Sequence, residues 1–208
     1  MEIAADQMKK QKLIHASFDV IDDFIPRIPK STSCGEDETI PRICVAPSIY
    51  DCLRAMPHAA ETIKGMQICG LPVILHAYYL KSGHIKDTDE IKTYVPDAEF
   101  NNEKWIIERP EKVFRMDYEL TNVYFKDGKD PNGKDICYPV CYDINRAKHQ
   151  DNWVNLAKRM EVPKDWIPEF IERFKEITNF RTLMCNMTKE FFREMLDARL
   201  KEEIEIER

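Results

Sequence analysis

Alternating apolar and polar positions divide the first 145 residues into short predicted strands. Residues 114–120 alternate apolar with charged side chains, which is the two-residue period of a half-buried antiparallel strand. Residues 72–80 are almost wholly apolar and rich in strand-forming types, so they predict a central strand. Shorter apolar runs predict strands at 12–18, 43–46, 105–107, 123–125 and 136–138.

Cap and turn residues separate these strands. Ser48 is a suitable N-cap for a helix over 49–56, whose apolar residues fall on one helical face. The sequence Asp-Pro-Asn-Gly at 130–133 is a strong turn signal and predicts a hairpin between the last two strands.

After Asn145 the apolar residues recur at helical spacing instead. Three polar or proline residues stand where helices of this spacing would begin. The predicted helix starts are Asp151 or Asn152, Pro163 and Thr188. This part of the chain therefore predicts a three-helix region packed on the strands.

The length of the chain limits the number of domains that it can form. With 208 residues and a mass of 24.5 kDa, it can bury a core in one domain with a smaller appendage. We therefore predict an α+β domain over 1–145 and a helical region over 146–208. A composition of 43% hydrophobic and 33% charged residues is typical of a soluble globular protein. No apolar run approaches the roughly 20 residues of a membrane span, so no membrane association is expected.

Charge and cysteine usage limit the expected partners and the expected cellular compartment. The chain carries 31 basic and 37 acidic residues, a formal net charge of −6. Both signs are equally frequent in 146–208, so the acidic excess belongs to the first 145 residues. An acidic body repels a phosphate backbone, so general nucleic-acid binding is not expected. Seven irregularly spaced cysteines and a polar N-terminus without a signal-like apolar core predict reduced thiols in a cytoplasmic protein.

The sequence lacks the residues that three common kinds of functional site require. Cys137 and Cys141 are a plausible ligand pair, but no second pair or nearby histidine completes a metal site, so no metal is expected. No cysteine stands beside a base that would activate it as a nucleophile. With only 6 glycines, the chain has no glycine-rich phosphate loop.

The most informative segment begins at Glu103, at the mouth of the strand predicted at 105–107. A carboxylate held there by rigid backbone, yet open to solvent, suits the orientation or activation of a substrate hydroxyl. His15 and Ser48 lie in the preceding predicted strands and turns and complete a candidate constellation. Each has a structural interpretation as well: Glu103 as a solvated strand end, His15 as a core histidine, and Ser48 as a helix cap.

Three short motifs, in this order, resemble those of the ADP-ribosyltransferase-like fold in its histidine-first, diphtheria-toxin-like branch. Leu-Ile-His-Ala-Ser at 13–17 is similar to the first-strand motif. Cys-Val-Ala-Pro-Ser at 44–48, followed by a predicted helix, is similar to the second. The segment 103–110, followed by Phe-Arg-Met at 114–116, is similar to the third, in which an acid begins a strand. The resemblance covers roughly residues 12–120 and leaves the helical region outside.

The resemblance implies split antiparallel sheets with NAD, as a substrate, in the cleft between them. In such a cleft His15, followed by Ala16, would hold the nicotinamide ribose, and Ser48 would support the nicotinamide pocket. Glu103 would stabilise the oxocarbenium-like species that forms as nicotinamide leaves. A stacking tyrosine is expected near the second motif, and the candidates are Tyr50, Tyr78 and Tyr79.

Two departures from the family pattern shape the expected reaction. Ala16 stands where glycine is commoner, which crowds close approach of a ligand to the backbone. Asn101 stands two positions before Glu103, where arginine-modifying members carry an acid or glutamine. The sequence therefore predicts ADP-ribosyl transfer to an acceptor other than arginine, or hydrolysis of NAD.

Two functions of other classes fit the same residues. One is a catalytically silent module that binds or sequesters a nucleotide. The other is a protein-interaction protein that docks through aromatic residues of the helical region. Those aromatic residues are Trp153, Trp166, Phe170 and Phe174.

Overall fold

The computed structural model describes most of the chain. The described residues are 13–29, 35–129, 133–148, 150–177 and 179–186, together with Asp197. The helix predicted from Thr188 and the turn residues 130–132 lie outside them.

Within these ranges the chain forms seven strands, seven α-helices and one 3₁₀ turn. The strands are β1 (Ile14–Ser17), β2 (Ile43–Val45), β3 (Val73–Lys81), β4 (Ile85–Lys86), β5 (Lys104–Ile106), β6 (Lys112–Lys129) and β7 (Asp135–Arg146). The helices are α1 (Ile49–Ala55), α2 (Ala59–Ile68), α3 (Thr88–Ile91), α4 (Ala98–Asn101), α5 (Asn152–Arg159), α6 (Ile167–Ile177) and α7 (Phe180–Asn186), with the 3₁₀ turn at Lys164–Trp166.

The strands form two antiparallel sheets. The larger sheet has the order β1-β3-β6-β7 and the smaller has the order β2-β5-β4. The prediction of an α+β fold with antiparallel sheets is therefore confirmed. β3 lies between β1 and β6 and is buried along almost its whole length, as its apolar sequence predicts.

A backbone bridge joins the two sheets. Ile14 N–H donates to the Ala46 carbonyl at 2.9 Å, and Ala46 N–H donates to the Ile14 carbonyl at 2.8 Å. From this bridge β1 continues along β3, whereas β2 continues along β5. The two strands therefore diverge and leave space between them.

The β6–β7 hairpin is longer than the sequence indicates. The strands predicted separately at 114–120 and 123–125 are one continuous strand, β6. The register shifts between Thr121 and Tyr124, and Asn122 adopts the left-handed conformation with φ of 51°. An asparagine tolerates this conformation better than most residues, so the strand absorbs a bulge where a break in the pattern resembles a turn.

Two of the predicted helix starts are confirmed, and four of the observed helices were not predicted. Ser48 caps α1, and the Asp151 side chain caps α5 by accepting from the Trp153 N–H at 2.7 Å. The four helices are α2, α3, α4 and α7. α2 carries Gly65 in its interior, and glycine lowers the helix signal of a sequence.

The C-terminal helices complete the main hydrophobic core. Leu75 and Ala77 of β3 share one buried cluster with Trp153, Phe174 and Phe180 of α5, α6 and α7. In the polar part of the same junction, Asn152 Nδ2 donates to the Phe18 carbonyl at 2.6 Å and to the Ile74 carbonyl at 3.0 Å. The helical region and the larger sheet are therefore packed on one another.

Burial reduces the docking surface predicted for the aromatic residues of the helical region. Trp153, Phe170 and Phe174 are buried in the core, whereas Trp166 is 50% exposed. Three of the four residues therefore stabilise the fold and cannot face a partner. No helix in the described ranges is long and apolar enough to cross a membrane.

The close contact of α2 with α7 generates a stability prediction. A Cβ added at Gly65 would lie 2.5 Å from the Met184 carbonyl oxygen, closer than packed atoms allow. We expect Gly65→Ala to lower the free energy of unfolding by about 1–2 kcal/mol, because the clash outweighs the helix propensity that alanine adds. Urea denaturation measures this loss.

Gly83→Ala is the matched control for this substitution. A Cβ at Gly83 would meet the flexible Glu111 carboxylate at 3.6 Å, which is ordinary van der Waals contact. It should leave the free energy of unfolding nearly unchanged. A Gly65→Ala protein as stable as the wild type would contradict the packing of α2 on α7.

Candidate functional site

A cleft of ≈ 650 Å³ lies between the diverging β1 and β2, within the range of about 300–1,000 Å³ of small-molecule sites. Both His15 and Glu103 line it, so the structure brings these two sequence-predicted residues into one cavity. Lys175 and Arg181 also contribute to its wall. The helical region, which lies outside the family resemblance, is therefore part of the site.

His15 is held in one tautomer by the neighbouring strand. It occupies the half-buried face of β1, opposite Ile14 and Ala16, and its Nδ1 lies 2.8 Å from the Cys44 carbonyl oxygen. A carbonyl only accepts, so Nδ1 carries the proton and Nε2 of the neutral ring is an acceptor. Burial lowers the pKa of His15, the bond to the Cys44 carbonyl opposes this, and the charge of Arg27 lowers it further. The ring is therefore neutral at pH 7 and offers Nε2 to a donor such as a ribose hydroxyl.

Backbone hydrogen bonds fix Glu103 at the start of β5. Its N–H donates to the Ala98 carbonyl at 3.0 Å, and its carbonyl accepts from Thr88 Oγ1 at 2.7 Å. The side chain is only 7% exposed, and Oε1 accepts from Trp105 Nε1 at 2.8 Å. Glu103 and Trp105 thus interact on one face, as strand alternation predicts. The interpretation of Glu103 as a solvated strand end is wrong.

The environment of Glu103 favours its neutral form. Burial raises the pKa of this carboxyl, and the nearby charges of Glu36 and Asp97 raise it further. Hydrogen bonds from Cys44 and Trp105 act in the opposite direction without cancelling the effect of burial. A cationic ligand in the cleft would shift the balance back toward the carboxylate.

Cys44 connects the two site residues, and the sequence analysis did not identify it. Its carbonyl accepts from His15, and its thiol donates a hydrogen bond to the Glu103 carboxylate. Burial, followed by the charge of Glu103, raises the pKa of Cys44 well above its ordinary value, so the group remains a thiol donor. Ile43 and Val45 on either side are buried in the core. Their alternation with Cys44 was the sequence signal that could have placed it on the cleft side.

Among the described residues, one group could hold a metal ion. Glu36, Cys44 and Glu103 each offer a ligand atom, and these atoms lie within 4.8 Å of one another. The Arg42 guanidinium already forms an ion pair with Glu36 and lies 4.3 Å from the centre of the Trp105 ring. A metal ion would have to compete with this buried cation and displace the thiol proton. Charge compensation by Arg42 therefore explains the cluster without a metal.

Three predicted binding residues do not line the cleft as far as the structure describes it. They are Ser48, Tyr50 and Tyr78. Ser48 Oγ accepts from the Asp51 N–H at 3.1 Å as a helix cap, and the Tyr50 ring lies 5.3 Å from the Arg54 guanidinium. Ala16, by contrast, lies on the cleft wall. The ligand-binding roles of all four residues stay predictions.

Tyr78 supports the cleft wall from behind. Its hydroxyl accepts from the Ile21 N–H at 2.7 Å, and its ring lies 4.8 Å from Phe24 and 6.4 Å from His15. It is 1% exposed. Tyr79 points to the other face of β3, where its hydroxyl lies 2.9 Å from that of Tyr118. Tyr78 therefore positions the 18–29 segment and the histidine ring.

Comparison of the chain with protein-family models, curated proteins and solved structures finds no match. The ADP-ribosyltransferase-like fold therefore stays a prediction from the sequence motifs.

The raised pKa of Glu103 generates a prediction about stability and pH. The folded state holds the Glu103 proton to higher pH than the unfolded state does, so the wild type loses stability as pH rises between the two pKa values. Glu103→Gln cannot ionise and lacks this loss. We expect the stability of the variant relative to the wild type to increase from acidic to neutral pH, as measured by urea denaturation across that range.

Glu108→Gln is the control, because Glu108 is exposed beside His84 on the turn after β5. Its stability relative to the wild type should not follow the same trend. A Glu103→Gln protein whose relative stability is the same at acidic and neutral pH would show that Glu103 ionises as readily in the fold as in the unfolded chain.

Proposed function

We propose that the protein cleaves the nicotinamide–ribose bond of NAD, transferring ADP-ribose to an acceptor or to water. The observation that carries this proposal is that His15 and Glu103, two residues of the family motifs, line one cleft and are joined through Cys44. An acceptor nitrogen on a strand and one carboxyl group within the same cavity are what the chemistry requires.

His15 would position the substrate ribose. Its Nδ1–H is committed to the Cys44 carbonyl, so Nε2 accepts a hydrogen bond from a ribose hydroxyl and orients the sugar. Because the Cys44 carbonyl belongs to β2, this orientation is tied to the same strand whose thiol contacts Glu103. Sugar and acid are thereby aligned by one rigid element.

Glu103 would act on the charge that develops as the bond breaks. The electron pair of the glycosidic bond leaves with nicotinamide, and the ribose becomes an oxocarbenium-like cation that a carboxylate stabilises. A nucleophile then bonds to the same carbon and loses its proton, and if it is water the product is ADP-ribose. The nicotinamide ring of NAD is itself cationic and would lower the pKa of Glu103 on binding. Ionisation of the acid would thus be coupled to the presence of substrate.

The residue two positions before Glu103 supports an acceptor other than arginine. Asn101 is buried, and its Nδ2 donates to Asp97 Oδ2 at 3.0 Å within α4. A neutral amide engaged in this way offers no carboxylate to receive a guanidinium. Water or a different nucleophile is the expected acceptor.

A catalytically silent nucleotide-binding module is the second candidate. It is favoured by the burial of Glu103, which raises the pKa of its carboxyl and so disfavours the charged form that bond cleavage needs. If the bound nucleotide does not reverse this, the cleft binds ligand without breaking the bond. The two candidates differ in one measurable event, the release of nicotinamide.

Glu103→Gln separates binding from turnover. The amide keeps the shape of the side chain and removes its charge, so NAD should still bind while nicotinamide release falls by about 10²-fold or more. Release is followed by chromatography, and binding by calorimetry with ADP-ribose. Glu108→Gln changes an exposed carboxylate of the same segment and should release nicotinamide at the wild-type rate.

Wild-type protein that binds ADP-ribose but releases no nicotinamide would support the silent module instead. Undiminished release by Glu103→Gln would exclude Glu103 as the acid.

A further inference from the structure

Arg27 is a cationic residue on the cleft wall that the proposed mechanism does not use. Its backbone is fixed by a bridge to Arg42: the Arg27 N–H donates to the Arg42 carbonyl at 3.2 Å, and the Arg42 N–H donates to the Arg27 carbonyl at 3.0 Å. Arg42 directly precedes β2. The Cα of Arg27 is therefore positioned by the strand that also carries Cys44, although most of the 18–29 segment has no regular structure.

The guanidinium of Arg27 is available, in contrast to those of two neighbouring arginines. Arg42 pairs with Glu36, and Arg109 contacts both carboxylate oxygens of Asp23 at 2.6 and 2.7 Å. Among the described residues, Arg27 makes one long contact, from Nη2 to the Asp23 carbonyl at 3.4 Å, and its side chain is exposed. It can therefore turn to an anion in the cleft without breaking an ion pair.

Arg27 also lies near His15. The pKa of the His15 imidazole depends most on burial and next on the hydrogen bond to Cys44. The positive charge of Arg27 is the third cause, and it lowers the pKa. Both side chains line the same cleft. A group bound to the ribose hydroxyls at His15 would carry its 5′-phosphate only a few ångströms away, because the phosphate is bonded to the same sugar.

We infer that Arg27 binds the phosphate attached to the ribose that His15 holds, so that the cleft selects 5′-phosphorylated nucleotides over nucleosides. The inference rests on the proposed function in one respect, the placement of the ribose at His15. The planar guanidinium presents two parallel N–H donors that match two phosphate oxygens.

The acidic residues of the same wall restrict where the phosphate lies. Asp19 accepts from Trp153 Nε1 at 3.0 Å and from the Phe180 N–H at 3.2 Å, and Asp23 is paired with Arg109. Asp22 forms no such bond with the part of the chain that the structure describes, and it would repel a phosphate beside it. These carboxylates therefore disfavour a phosphate on their own part of the wall.

Nicotinamide mononucleotide and nicotinamide riboside differ only in the 5′-phosphate and are the matched probes. Both are titrated by calorimetry into wild type, Arg27→Gln and Arg146→Gln proteins, and nicotinamide release is followed in parallel. We expect the wild type to prefer the mononucleotide by about tenfold or more, the usual effect of a charge-assisted hydrogen bond. Arg27→Gln should lose most of this preference and keep its affinity for the riboside. Arg146→Gln removes the same charge at an exposed position outside the cleft lining and should keep the preference.

A second readout does not depend on ligand. Removal of the Arg27 charge should raise the pKa of His15, as followed by NMR titration of the imidazole, and Arg146→Gln should not. An unchanged His15 pKa, or an unchanged preference in Arg27→Gln, overturns the inference, as does a wild type that binds neither probe. If Arg27→Gln turns over NAD with an unaltered KM, the proposed function holds and the inference about Arg27 is wrong. A phosphate preference that depends on Arg27, without any nicotinamide release, would support the inference and reject the catalytic proposal.

Discussion

The backbone bridge between Ile14 and Ala46 is the contact on which the rest of the structure depends. It is the junction from which β1 joins the larger sheet and β2 the smaller, and the cleft is the space left as they diverge. Strands that separate leave backbone carbonyls without a ladder partner, and buried carbonyls require a donor. His15 supplies one to Cys44. His15, which lines the cleft, thus also supplies the donor that the Cys44 carbonyl lacks where the two strands separate.

A buried carboxyl group is the main cost of this arrangement. Moving a charge out of water without compensation is expensive, and each neutral hydrogen bond returns only about 1 kcal/mol. Glu103 receives bonds from Trp105 and Cys44, and Arg42 pairs with the adjacent Glu36. The raised pKa of Glu103 shows that this compensation is incomplete. A cleft of this kind is poised to interact with a cation, since a positive ligand would restore what burial removes.

The helical region contributes to the cleft through the fold as well as through its own side chains. Asn152 and Trp153 at the start of α5 bond to Phe18 and Asp19, and Phe180 at the start of α7 bonds to Asp19 as well. These contacts hold the beginning of the irregular 18–29 segment against the sheet, while Tyr78 holds it at Ile21. A wall with little regular structure of its own is thereby kept in place by its neighbours.

The sequence by itself determined the fold class, the central strand β3, the β6–β7 hairpin and the caps of α1 and α5, because these depend on local period and local hydrogen bonds. It also identified His15 and Glu103 as candidates. It did not reveal that Cys44 and Arg27 line the cleft, since an isolated cysteine or arginine has no local signal and their positions depend on which strands diverge beside them. Nor did it reveal that Glu103 is buried. Burial is decided by residues distant in the chain, so only the tertiary structure could determine it.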